Sequence, residues 1–206
     1  MSYIQGAELL RKTVAEYLAD TLPEILPIAR TATGTTALQL PEPVRYDMYD
    51  PYSANDYPVV GMYVVSDRDH EHRDFDAAAE REYWVRYTCP LFVVAVTPKD
   101  ADGEYIGGED VFKETIRMRD NLIAVLKNAL LGSPSLGGHD VEVLEETIST
   151  DYEEPAPVNE KMRKVLTAVG IVNLDIRMGE SLYLPALGTV ETTNLVADHA
   201  NMGEDL

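Results

Sequence analysis

YWVRYTCPLFVVAVT, residues 83–97, and DVFKETIRMRDNLIAVLKNALL, residues 110–131, together decide the fold. The first stretch is almost wholly β-branched, aromatic or apolar, which suits a pleated, half-buried backbone. At ~3.3 Å per residue it reaches about 50 Å, so it predicts one unusually long strand or a bent pair. Pro90 cannot donate to a ladder, and its place within the run predicts an edge position or a bulge. In the second stretch Val111, Phe112, Thr115, Met118, Leu122, Ile123, Leu126, Ala129 and Leu130 recur at helical spacing. Lys113, Arg117, Arg119 and Lys127 fall mostly off that stripe. Asp110 stands at the capping position, and Gly132, Ser133 and Pro134 stop the helix. So broad an apolar stripe is suited to lying on a sheet.

Upstream, VVGMYVVS at 59–66 reads as a strand. Residues 67–82 hold seven acids and three arginines and read as a solvated, charged connection. Before them, residues 31–58 are rich in threonine and proline and then in tyrosine, and predict a long irregular loop. The chain opens with a helix over 2–20, where Ser2 and Gln5 have capping-box spacing. Its face is Ala7, Leu10, Val14, Tyr17 and Leu18, and Pro23 and Pro27 are expected to end it. Downstream, a strand from Val141 to about Tyr152 precedes a stretch over 162–178 that alternates cleanly from Val172 onward. The expected core is Val85, Tyr87, Phe92, Val94, Met118, Leu122, Leu126, Leu166, Val172 and Leu174.

The resulting order is α-β-β-α-β-β. Neighbouring strands favour antiparallel pairing, which gives an α+β fold: a small antiparallel sheet with two main helices on one face, plus long loops or arms. Residues 1–186 are expected to form one domain, followed by an acidic segment over 187–206 whose last residues fray.

Composition narrows the function. With 36 acidic and 17 basic side chains the net charge is −19, which repels nucleic acid and anionic lipid. No basic residue occurs in 46–67, in 128–160 or after Arg177, so the acidic surface concentrates on particular segments. The single cysteine, Cys89, excludes an internal disulfide and points to a reducing folding compartment. It lies in an apolar run without a histidine partner and reads as a buried structural thiol. No stretch approaches the ~20 apolar residues that span a bilayer, and the N-terminus lacks signal-peptide order. Phosphate-binding glycine loops, a nucleophile elbow and H-E-x-x-H are absent. His70 and His72 are spaced H-x-H with no third ligand placed. No catalytic residue, cofactor or metal is therefore expected. The long loop and the charged connection are expected to meet other subunits, through Tyr46, Tyr49, Tyr52, Tyr57, Arg68, Arg73 and Phe75.

Several segments together resemble the tail terminator proteins of long-tailed bacteriophages and related neck, or head–tail joining, proteins. They are AELLRKTVAEYLAD, YPVVGMYVVSD, YWVRYTCPLFVVAVTP, DVFKETIRMRDNLIAVLKNALL, VEVLEETISTDYEEPAP and KVLTAVGIVNLDIRM. The helix fits the family's pattern through Arg119, Leu122 and Leu126. The strands depart from it, with Met62 in the place of a valine and Pro90 ahead of Phe92. The resemblance implies a ring, commonly a hexamer, that caps the tail tube protein and docks the head–tail connector protein. It implies a virion protein assembled in the host bacterial cytoplasm, with no enzymatic activity, no membrane and no sequence-specific nucleic-acid binding. If DNA passes through such a ring, acids lining the lumen keep it from adhering. The candidates are Glu142, Glu145, Glu146, Asp151, Glu153 and Glu154.

Overall fold

The computed structural model describes residues 6–48, 57–75, 80–98, 102, 104, 110–138, 140–157 and 165–183. Helix α1 (Ala7–Thr33) is followed by strands β1 (Arg45–Met48), β2 (Val59–Met62), β3 (Ser66–Phe75) and β4 (Glu80–Val96). Helix α2 (Val111–Gly132) leads to β5 (Val141–Tyr152), β6 (Ala156–Pro157) and β7 (Leu166–Tyr183). The fold is α+β, with both helices packed against one sheet ordered β1-β2-β4-β7-β5. Strand β3 also pairs with β4, and β6 with β7. All pairings are antiparallel except β1 with β2, which is parallel. The expected antiparallel sheet thus carries one parallel pair, at its β1 edge.

β4 and β7 form the spine. Their register runs without interruption from Glu80 opposite Tyr183 to Val96 opposite Thr167. Period-2 alternation then sorts the side chains between two faces. Val85, Tyr87, Cys89, Leu91, Val93 and Ala95 of β4 join Val172, Leu174, Ile176 and Met178 of β7 in one core with α1 and α2. Of the expected core, Phe92 and Leu166 are only partly buried. Phe92 has the opposite parity to Leu91 and Val93, so it faces away from the helices. Val94 is also on that outer face, in a smaller cluster with Val59 and Val169.

Pro90 is neither at an edge nor in a bulge of the β4–β7 ladder. Its carbonyl accepts the Tyr63 amide hydrogen at 3.2 Å, so the donor it lacks would point the same way, away from β7. That side is where β4 changes partner from β2 to β3, and Pro90 costs the spine no hydrogen bond. The charged stretch from 67 is likewise not a loop. It is the outer strand of the β3–β4 pairing, with two register irregularities.

α1 runs straight past both prolines, against expectation. Leu10, Val14, Leu18, Leu22 and Leu26 repeat every four residues and are all buried. Each such burial contributes about 1.5–3 kcal/mol. Pro23 and Pro27 are also four apart and both exposed, so water can take the carbonyls they leave unpaired. The helix ends at Gly34, whose φ of 64° suits glycine and lets Thr35 bond back to Arg30. Three residues of the expected 31–58 loop are thus helical, and 45–48 are β1. The Tyr17 hydroxyl donates to the Ala129 carbonyl at 2.6 Å, tying α1 to α2.

α2 occupies the expected span. Asp110 precedes it, but its side chain makes no capping bond. Phe112, expected in the stripe, is exposed, while Arg119, expected off it, is buried. The Arg119 guanidinium pairs with the Asp120 carboxylate at 2.9 Å, lies 4.6 Å from the Tyr152 ring centre and donates to the Glu153 carbonyl at 3.0 Å, so its charge is satisfied where it is buried. α2 comes close to β7 at Gly170, where a Cβ would stand 2.2 Å from Ile123 Cδ1.

Gly170→Ala is expected to cost about 1–3 kcal/mol of stability through overpacking. Adding Ile123→Val should recover part of the loss in a double-mutant cycle measured by urea unfolding. Strict additivity of the two changes would contradict the close approach.

Candidate interaction surface

No helix covers the outer face of the sheet among the described residues, and its side chains are ordered by one another. On β4, Trp84 stands opposite Gly179 of β7, and the Arg177 guanidinium lies 5.0 Å from the indole centre. Arg177 also donates to the Glu142 carboxylate. Arg86 Nε donates to Asp175 Oδ2 at 2.7 Å. Asn173 Nδ2 donates to Asp151 at 2.7 Å. Further along, Phe92 stands opposite Gly61 and meets Tyr63 edge to face at 5.1 Å. The face therefore grades from an apolar end at Val59, Val94 and Val169 to a charged end at Arg86 and Arg177. Such partly exposed ion pairs stabilise by about 0.2–1 kcal/mol each, so they order the surface more than they hold the fold.

Register gives the charged end its form. Arg68 of β3 is directly opposite Arg86 of β4, and Arg86 is directly opposite Arg177 of β7. Three guanidiniums thus share one cross-strand row, where like charges are unfavourable neighbours. Asp175 and Glu142 offset Arg86 and Arg177. Arg68 is exposed and donates to Ser66 Oγ at 3.3 Å.

The free edges are blunted. The Val143 amide at the start of β5 donates to the Pro134 carbonyl, which covers that edge. Between Leu144 and Ser149 the β5–β7 register shifts. There the Thr147 hydroxyl donates to the Leu144 carbonyl at 2.7 Å and accepts the Asp175 amide at 2.8 Å, standing in for a missing ladder bond. A bulge of this kind protects an edge from adding another strand, and it leaves Glu145 and Glu146 exposed.

The acids suggested for a lumen do not form one uniform row. Glu142 is bound to Arg177, and Asp151 to Asn173. Glu145, Glu146, Glu153 and Glu154 are exposed along β5 and the turn after it. Tyr46 packs partly against the main core and Tyr57 against the outer cluster. Burial, then the neighbouring Glu42, pushes the Tyr46 phenol up from its ordinary range. Tyr49 and Tyr52 lie outside the described residues, as does the 187–206 segment. Arg73 and Phe75, with His70 and His72, belong to β3, where only the backbone is described. The three-arginine row was not legible in the sequence, because it depends on the irregular β3–β4 register.

On the helix side, the Tyr87 hydroxyl donates to Glu180 beside the start of α1. Cys89 is fully buried in the core, and burial, followed by the Asp175 carboxylate, pushes its thiol up to about 12. At neutral pH it is a packing group and not a nucleophile. Among the described residues no group of three or more His, Cys, Asp or Glu side chains could hold a metal ion. Nor is any described helix long and apolar enough to cross a membrane. No protein-family model matches the chain, and no curated protein matches it.

Cys89 generates a pH prediction. An unfolded thiol ionises near its ordinary value, whereas the folded one stays protonated up to about 12. Its contribution to stability is therefore full below an ordinary thiol pKa of ~8.5 and is lost as pH rises toward the folded value. Urea unfolding of wild type and Cys89→Ala should give a difference that is constant at neutral pH and narrows above the ordinary thiol pKa. A difference that does not change with pH would contradict the burial argument.

Proposed function

We propose that this chain is a ring-forming structural protein at the head-proximal end of a long-tailed phage tail. There it ends polymerisation of the tail tube and joins the tail to the head connector. In this reading it acts through shared surfaces and carries no catalytic site. The supporting observation is the architecture of the sheet. Two helices bury one face, and an ordered outer face with arginine and aromatic side chains has no helix over it among the described residues. Arginine, tryptophan and tyrosine are the residue types that carry binding energy at protein interfaces. The long β4–β7 ladder, with β3 alongside, continues beyond the first β5 pair at Val141–Met178 as far as Glu80 and Tyr183. It gives the subunit an arm that can reach a neighbour. Other neck positions, such as a head-side stopper or a tail-tube-like subunit, would use the same features and differ in which partner they meet.

The purified chain is expected to form closed rings of fixed stoichiometry, alone or on addition of tail tubes, when followed by native mass measurement and negative-stain imaging. Mass that stays at one chain under both conditions would contradict the proposal.

A further inference from the structure

We infer that the turn between α2 and β5, residues 133–138, is an autoinhibitory strap: anchored by Leu136, it holds the Pro134 carbonyl on the outer edge of β5 and shuts that edge against a strand of a second copy of this chain. The inference goes beyond the ring reading and does not depend on it. Along an antiparallel strand, successive residues turn their amides alternately toward one neighbour and away from it. The Asp140 carbonyl accepts the Gly179 amide at 2.8 Å and so faces β7. Val143, three residues on, has the opposite sense, and its amide donates outward to the Pro134 carbonyl at 2.8 Å. An outward amide on an edge is the group that an added strand would use. Pro134 takes it and, having no N–H, offers no donor in return, so pairing stops there. The register shift between Leu144 and Ser149 breaks the edge further along, and the strap closes the regular stretch before it.

Leu136 supplies the hold. Its φ is 49°, the one positive value at a non-glycine residue among the described residues. A bulky side chain makes this conformation unfavourable, and it persists only where the surroundings impose it. Here they do, because the Leu136 side chain is 4% exposed and belongs to the main core. Gly137 follows at φ 68°, and the Gly138 amide donates to the Ser135 carbonyl at 2.9 Å, which closes a tight turn with both central residues left-handed. The Leu136 amide also donates to the Ser133 carbonyl at 2.8 Å, so the chain is tied on either side of Pro134. Leu136 is therefore a positioning residue: its burial fixes the turn, and the turn fixes the Pro134 carbonyl. The β5–β7 ladder does not need this bond, since it runs from Val141 opposite Met178 to Leu144 opposite Asp175 on the other side of the strand. A second copy carries the same edge, and open edges of identical chains pair with one another.

The test compares the full-length wild type with Leu136→Ala, Gly137→Ala and Leu136→Met, and with Leu130→Ala as a control for an ordinary core cavity, Leu130 being fully buried on α2. At Gly137 an added Cβ meets no atom within 4 Å, so that variant disturbs the turn through φ alone and leaves the core intact. Hydrogen exchange is followed at the Val143 and Gly179 amides, and association by sedimentation over a range of concentrations. In Leu136→Ala and Gly137→Ala the Val143 amide should exchange about tenfold faster relative to Gly179 than in wild type, because the strap opens while the ladder stays closed. Both variants should form larger, concentration-dependent species than wild type does. Leu136→Met keeps the apolar anchor and should behave as wild type. Leu130→Ala should lower the melting temperature with no selective change at Val143 and no added association. Val143 exchange in Leu136→Ala and Gly137→Ala that is no faster, relative to Gly179, than in Leu130→Ala would overturn the inference. So would a released Val143 amide with association unchanged from wild type. A wild type that stays a single chain contradicts the ring reading alone.

Discussion

The unbroken pairing of β4 with β7 fixes the rest of the molecule. From Glu80 opposite Tyr183 to Val96 opposite Thr167, each residue of β4 has one partner, with no bulge to change the parity. A slip of one residue would turn Leu91, Val93, Leu174 and Ile176 outward and bring Arg86, Asp175 and Arg177 beneath the helices. Burying those charges without water would cost several kcal/mol per ion, far more than a small domain can spare. The register is thus specified twice, by what must be buried on one face and by what must stay wet on the other. The position of α2 follows from it, since Gly170 opens the gap that Ile123 fills.

Around this spine, irregularities are repaired by short hydroxyl side chains. Thr147 bridges the β5 bulge. At the other end, the Thr97 hydroxyl accepts the Leu166 amide at 2.8 Å and the buried Thr115 hydroxyl at 3.2 Å, joining the end of β4, the start of β7 and the first turn of α2. A threonine can do this because its hydroxyl both donates and accepts, while its methyl group still packs. Such positions keep buried backbone groups satisfied where the regular ladder stops.

Much of the fold was legible in the sequence, and the failures have physical causes. α2 and the β4 and β7 strands carry strong periodic signals, and they lie where their periods place them. The prolines misled twice. In α1 the leucines at every fourth position gain more by burial than two exposed prolines lose, so the helix continues to Thr33. In β4 the effect of Pro90 depends on which side its missing donor faces, and only the partner strands decide that. The 67–82 stretch has the composition of a loop, yet the backbone of its first part, to Phe75, pairs with β4, because an edge strand can carry charge on both faces. Arg119 looked like a surface residue, since nothing local reveals that Tyr152 and the Glu153 carbonyl come to meet it. Of the surface residues, Arg68 was singled out from the sequence, but its alignment with Arg86 and Arg177 needed the register.

The functional account therefore stands on the outer face: an ordered surface on which Trp84, Arg86 and Arg177 come together. Trp84 reports on it directly. It is the single tryptophan, it stands on that face, and Arg177 stacks on it at 5.0 Å. Quenching of its fluorescence by acrylamide, compared between the isolated and the assembled protein, is the most direct measurement. The account predicts that assembly shifts the emission to the blue and shields the indole from the quencher. Assembled rings in which emission and quenching are unchanged would place the subunit contact elsewhere and contradict it.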